Sequence, residues 1–247
     1  MNMLAVTAFG AAVLAYADTH VIGSAGPDPE LNQISTRFTL TLAIHSNISG
    51  LEGDAKVALS HLDRSTGQFS DLNYSFTPYA HIGQPQSNHL TRCNLLASLW
   101  ISPLSMYFQS SDIKSAGLIC SRWYVNNNPP STNWFMTQLW IPINVGQLVF
   151  IYGDQMPQPQ ATKAIQIMKQ VDEKGPKDKS QGANAANVGR VHIMLGLLAG
   201  NRTAVESGFG AFYKNVKTNK YCCPPVHSGE GIRPDFSFMQ HLSLIHI

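Results

Sequence analysis

The feature that most constrains this chain is the spacing of its apolar residues. They recur at helical rather than strand intervals, and Gly, Pro or Asn separates each run from the next. Asp28-Pro29 opens the first run as an N-cap followed by proline at the first helical position. Leu31, Ile34, Phe38, Leu42 and Ile44 then give one apolar stripe, predicting a helix over Pro29–Ser46. Further helices are predicted at Asp54–Leu62, His89–Trp100, Ser111–Val125, Trp134–Tyr152 with an interruption at Pro142, Ala161–Val171, Ala185–Leu198 and Ala204–Val216. Gly67–Pro85 and Asn126–Asn133 read as loops. Gly189 and Gly196 interrupt an otherwise apolar helix; each weakens it, unless a neighbour packs closely there. Few strand runs, no fixed-period repeat and no composition shift point to one all-α array.

With 247 residues, 44% of them hydrophobic and 13% charged, the chain can bury a sizeable core. A net charge of +2 leaves no general nucleic-acid footprint. The one basic stretch, around Lys174, Lys177 and Lys179, reads as a solvated loop or as an electrostatic lip for a polyanion. Met1–Leu14 is uncharged and largely apolar, and Ala15-Tyr16-Ala17 fits a cleavage site. Residues 1–17 are therefore expected to be a signal peptide, and the protein secreted and extracellular. Asn47-Ile48-Ser49, Asn73-Tyr74-Ser75 and Asn201-Arg202-Thr203 are possible glycosylation acceptors. No segment is apolar and long enough to span a bilayer, so no membrane partner is expected. Of the four cysteines, Cys93 and Cys120 sit on neighbouring predicted helices. They read as buried free thiols or one structural bridge, while Cys222-Cys223 would be strained as a pair. No metal-type spacing appears, and neither metal nor cofactor is expected.

Three constellations could carry chemistry. Asn133-Trp134-Phe135, followed by Trp140-Ile141-Pro142, places aromatic rings at a loop-to-helix junction, where they either fill the core or stack on apolar sugar faces. Gln181-Gly182-Ala183-Asn184 precedes the Ala185 helix. Asn184 reads as its N-cap, or as a carboxamide that grips a carboxylate at the positive helix end. The third is Gly231-Ile232-Arg233-Pro234-Asp235-Phe236-Ser237-Phe238-Met239-Gln240-His241, which sets an imidazole after a turn and an aromatic run. His45, His61, His89 and His192 lack such a context.

In order and spacing these segments resemble polysaccharide lyase family 8, whose members cleave hyaluronan, chondroitin and related uronate polymers. The resemblance covers roughly Pro85 to His241. Asn133-Trp134-Phe135 is similar to the family's Asn-Trp-Trp, and Leu139-Trp140-Ile141-Pro142 to its Ile-Gly-Ile-Pro-like segment. Gln181-Gly182-Ala183-Asn184 resembles its Thr-Gly-Ala-Asn, and Gly231 through His241 matches every specified residue of its Gly-x-x-x-Asp-x-Ser-Phe-x-Gln-His. The resemblance implies an incomplete α/α toroid over 18–241, with C-terminal β-sandwich domains missing from this chain. It implies β-elimination on an acidic polysaccharide, by a protein that is a monomer when full length. Asn184 would hold the uronate carboxylate, His241 would act beside C5, and Trp134 and Phe135 would stack on the chain with Asn133 as a polar contact. The family's acid Tyr, and its supporting Arg and Glu, follow the His and have no counterpart here; Tyr213 precedes the motif and is no substitute on chain order. A toroid that only holds acidic polysaccharide is the alternative.

Leu242 to Ile247 departs from the family pattern. It is one translation of CTG TCT CTT ATA CAC ATC, which resembles a transposon-end adapter used in sequencing libraries. The expectation is a non-native tail over 242–247, a truncated and inactive lyase, and aggregation through an uncovered docking face. Native codons at the locus, and a stable monomer in light scattering, are the respective contrary results.

Overall fold

The computed structural model of the chain describes residues 28–43, 47–75, 78–176, 182–216, 231–232, 237–240 and 243–246. Helix α1 (Pro29–Ala43) starts where the sequence places it: Asp28 Oδ1 accepts hydrogen bonds from the backbone N–H groups of Glu30 and Leu31, at 3.0 and 3.3 Å. Helix α2 (Ile48–His61) begins well before the expected Asp54, because Asn47 caps it by accepting from Gly50 N–H at 3.2 Å. Helices α3 (Pro85–Ile101) and α4 (Ser111–Asn127) follow. The first begins a turn earlier than expected, with Pro85 at its N-terminal position.

Pro142 does not interrupt the next helical stretch. Met136–Trp140 is a π-helical segment that runs directly into α5 (Ile141–Tyr152), and Ile141 N–H donates to the Met136 carbonyl. Proline supplies no N–H and its ring crowds the carbonyl four residues back. A wider turn just before it accommodates both effects, so the chain continues instead of breaking.

Helix α5 is apolar on nearly every side, and Val145, Leu148, Phe150, Ile151 and Tyr152 are buried. It is the central helix of the core, packed against α1, α3, α4, α6 (Gln158–Met168) and α7 (Gly182–Leu198). The most extensive helix pairing joins α7 to α8 (Arg202–Val216). A Cβ on Gly196 would sit 2.8 Å from Val205 N, and one on Gly208 would sit 2.9 Å from the Gly189 carbonyl. The glycines inside α7 therefore mark the close approach that the sequence left as one option. Gly200, at φ +61°, ends α7, and Asn201 N–H returns to the Gly196 carbonyl at 2.8 Å.

The described residues from Asp28 to Val216 are helices and their connections, as the sequence predicts. A small antiparallel meander of β1 (Gly231–Ile232), β2 (Ser237–Gln240) and β3 (Ser243–His246) follows, which the sequence reading did not anticipate. Phe238 pairs with both Ile232 and Ile245.

The long Gly67–Pro85 connection is pinned to α3. Arg92 forms a bidentate pair with Asp71, both bonds 2.6 Å. Tyr74 Oη accepts from Phe69 N–H at 2.9 Å and lies 2.8 Å from His89 Nδ1; His89 Nε2 lies 2.9 Å from the Cys120 carbonyl. A carbonyl can only accept, so His89 carries its proton on Nε2, and Tyr74 donates to Nδ1. In this structure Cys93 and Cys120 are buried and unbridged.

Candidate functional site

The aromatic junction is built by two loops that lock together. Tyr79 is fully buried and its hydroxyl lies 2.8 Å from that of Tyr124; burial pushes its phenol up to about 12. Its backbone carbonyl accepts from Thr132 N–H at 2.9 Å and from Ser131 Oγ at 2.6 Å. Asn133 completes the lock. Its Nδ2 donates to the Ala80 carbonyl at 2.9 Å, and its Oδ1 accepts from Phe135 N–H, also at 2.9 Å. One carboxamide thus joins the Tyr79–Ala80 backbone to the start of the helical turn that carries Trp134 and Phe135.

Trp134 and Phe135 are half-buried and meet edge to face, with ring centroids 6.1 Å apart. They rest against the core without being enclosed by it, so each ring combines core packing with an open portion. The π segment that follows is held at a second point: Gln138, buried, donates through Nε2 to the Lys174 carbonyl at 3.3 Å. That contact places the first lysine of the basic turn beside the aromatic junction; Lys177 and Lys179 lie outside the described residues.

Asn184 is 2% exposed and is the third residue of α7, which begins at Gly182. It is therefore not the N-cap that the sequence reading favoured, since it sits inside the first turn. The α7 helix packs on the π segment and on β2. His241 lies outside the described residues, but Gln240, the last residue of β2, immediately precedes it. The three segments singled out in the sequence thus converge on α7. Tyr79, Tyr124 and Tyr152 are all fully buried, and the Tyr79 and Tyr124 hydroxyls partner each other.

The sequence reading missed the lock made by Asn133 and the network that pins the preceding loop. Residues spaced three apart on one helix face, His89 and Arg92, were the available signal. Among the described residues, one group could gather a metal ion: His89, Cys93 and Cys120, in the core between α3 and α4. Both imidazole nitrogens there already have partners.

Comparison with known proteins returns one family. The polysaccharide lyase family 8 N-terminal alpha-helical domain matches residues 34–247. Chondroitinase-AC of Pedobacter heparinus is 22% identical over 158 residues, which is 63% of this chain and 21% of that protein. The chain therefore spans about a fifth of the length of that curated relative. Among solved structures, a chondroitinase AC lyase superposes with a TM-score of 0.64 at 21% identity, over 85% of this chain and 29% of the other. A xanthan lyase of Paenibacillus gives 0.65 at 13% identity, over 87% and 21%. A chondroitin AC lyase of Streptomyces coelicolor, solved with chondroitin sulphate, gives 0.63 at 14% identity, over 87% and 30%. At these identities the superpositions establish the helical fold.

Proposed function

The chain belongs to polysaccharide lyase family 8, and from that premise we propose that it supplies the substrate-holding side of a centre that cleaves uronate-containing polysaccharide by β-elimination. The observation that carries this reading is the convergence on α7: the helix with Asn184 in its first turn packs both on the segment after Trp134-Phe135 and on the strand before His241. In β-elimination a base takes the C5 proton, the C4–O4 bond breaks as a C4–C5 double bond forms, and the leaving oxygen takes a proton. The C5 proton becomes acidic only when the neighbouring carboxylate is neutralised.

In this proposal the Asn184 carboxamide, beside the positive end of α7, takes the uronate carboxylate and stabilises the charge that develops on it. His241 acts at C5. Trp134 and Phe135 stack on the sugar faces through their open portions. Asn133, with both ends of its amide committed to backbone, is a positioning residue for that platform. Export from the cell belongs to the same proposal, since a polymer of this kind is met outside it. The three acceptor asparagines are exposed, which suits glycosylation, although each also accepts a local backbone hydrogen bond.

The test is the protein as its locus encodes it, assayed by the ultraviolet absorbance of the unsaturated product from chondroitin, hyaluronan and xanthan. Absorbance that falls at least ~100-fold in Asn184→Ala supports the reading. Binding with no absorbance on any of the three would leave the non-catalytic holding toroid in its place.

A further inference from the structure

Cys93 on α3 and Cys120 on α4 are each 0% exposed, and neither has a place in the proposed chemistry. Their Sγ atoms and a ring nitrogen of His89 all lie within 4.8 Å of one another. Three arrangements suit such a group: two idle thiols, a bound soft metal, or a disulfide.

A metal would need a free imidazole lone pair. His89 has none to give: Nε2–H is committed to the Cys120 carbonyl and Nδ1 accepts from Tyr74. The ring is further held between Phe69 and Trp123, with centroids 5.0 and 4.5 Å away. Coordination would dismantle the contacts that pin the Gly67–Pro85 connection. A disulfide needs none of this. It asks only that two sulfurs, already neighbours on adjacent packed helices, rotate to a bond length of about 2.05 Å. The Cys120 thiol donates to the Gly117 carbonyl in its own helix at 3.3 Å, a weak bond that rotation gives up at little cost.

We propose that Cys93 and Cys120 are a disulfide site that staples α3 to α4 when the chain folds against a dithiol–disulfide oxidant. One cysteine thiolate attacks the oxidant's disulfide, forming a mixed disulfide and releasing one oxidant thiolate. The second cysteine thiolate displaces the other. One oxidant S–S bond is replaced by one protein S–S bond, two electrons pass to the oxidant, and the two protons lost by the cysteines end on its thiols. Burial holds the native Cys93 thiol well above its ordinary range, so Cys93 is a poor nucleophile in the folded chain. The bond therefore forms before α3 and α4 close over it, and afterwards is shielded from reductant. The inference stands apart from the lyase reading and survives if that fails.

The experiment is peptide mass mapping of the whole chain folded in an oxidising compartment, with free thiols alkylated under denaturing conditions. The expected result is a Cys93–Cys120 linked peptide, two hydrogen masses below the sum of its reduced parts. It should be absent from material refolded with reductant and from Cys120→Ser. Closing a loop of about 30 residues should also place the Tm of the oxidised chain roughly 10 °C above that of the reduced chain. Alkylation of both cysteines, their pairing with Cys222 or Cys223, or stoichiometric zinc on the protein would each overturn the proposal. If Cys120→Ser does not fold, the linked peptide and the reductant-dependent Tm of the unmodified chain decide it alone.

Discussion

Protonation of His89 should be the main acid sensitivity of this fold between pH 6.5 and 4. Burial is the largest cause and drives its pKa from the ordinary 6.5 down to about 4, opposed by the bond to the Cys120 carbonyl. In the folded chain the ring is neutral, with Tyr74 donating to its one lone pair. In the unfolded chain it takes up a proton as pH falls below 6.5. The unfolded state then binds more protons than the folded state, so stability is complete above pH 6.5 and is lost as pH falls toward 4. A displacement of this size, at about 1.4 kcal/mol per unit, corresponds to roughly 3 kcal/mol. That is a large part of the stability of an ordinary domain. His89→Gln keeps a donor for the Cys120 carbonyl and cannot titrate. Urea unfolding followed by circular dichroism, at intervals from pH 7.5 to 4.5, should show the unmodified chain losing stability steeply. The variant should be weaker at pH 7.5 and nearly flat over that range. Depressed carboxylates such as Asp71 are common to both proteins and lose their contribution at lower pH. Parallel stability curves for the two proteins would refute this account of the buried ring.

Three further outcomes follow from the packing. Gly196→Ala should cost about 1–3 kcal/mol in chemical denaturation, because its Cβ would enter the Val205 backbone, whereas Gly53→Ala on open α2 surface should gain up to about 1 kcal/mol. The reverse order would contradict the close α7–α8 approach. Asn133→Ala should cost roughly 1–2 kcal/mol and weaken polysaccharide binding together with Tm, since it removes the helix cap and the bond to Ala80; unchanged Tm would contradict its role as a lock. Trp134→Ala should lower affinity for chondroitin by about tenfold or more in calorimetry while the helical circular dichroism signal is retained. Unaltered binding would assign Trp134 to core packing alone.

Helix identity was legible in the sequence because it rests on local signals: the Asp28 cap, the apolar stripe of α1, and the Gly200 terminator all act within a few residues of themselves. What failed was local reading of non-local compensation. Pro142 reads as a breaker, yet the preceding turn widens to take it. Asn184 reads as a cap, yet the helix starts two residues earlier and buries it. Gly50 and Gly53 obscured the first turns of the helix that Asn47 caps. The site segments were legible by resemblance, while their convergence on α7 was not, because no spacing along the chain encodes which helix two distant segments share.

The central claim is that Asn184 takes a uronate carboxylate. It is tested most directly by measuring affinity for chondroitin and for the same polymer with its carboxyl groups reduced to alcohols, in the unmodified chain and in Asn184→Ala. The account predicts that the unmodified chain prefers the carboxylate polymer by about tenfold or more, and that the variant, with its helical signal intact, loses most of that preference. An equal preference in both proteins would contradict it.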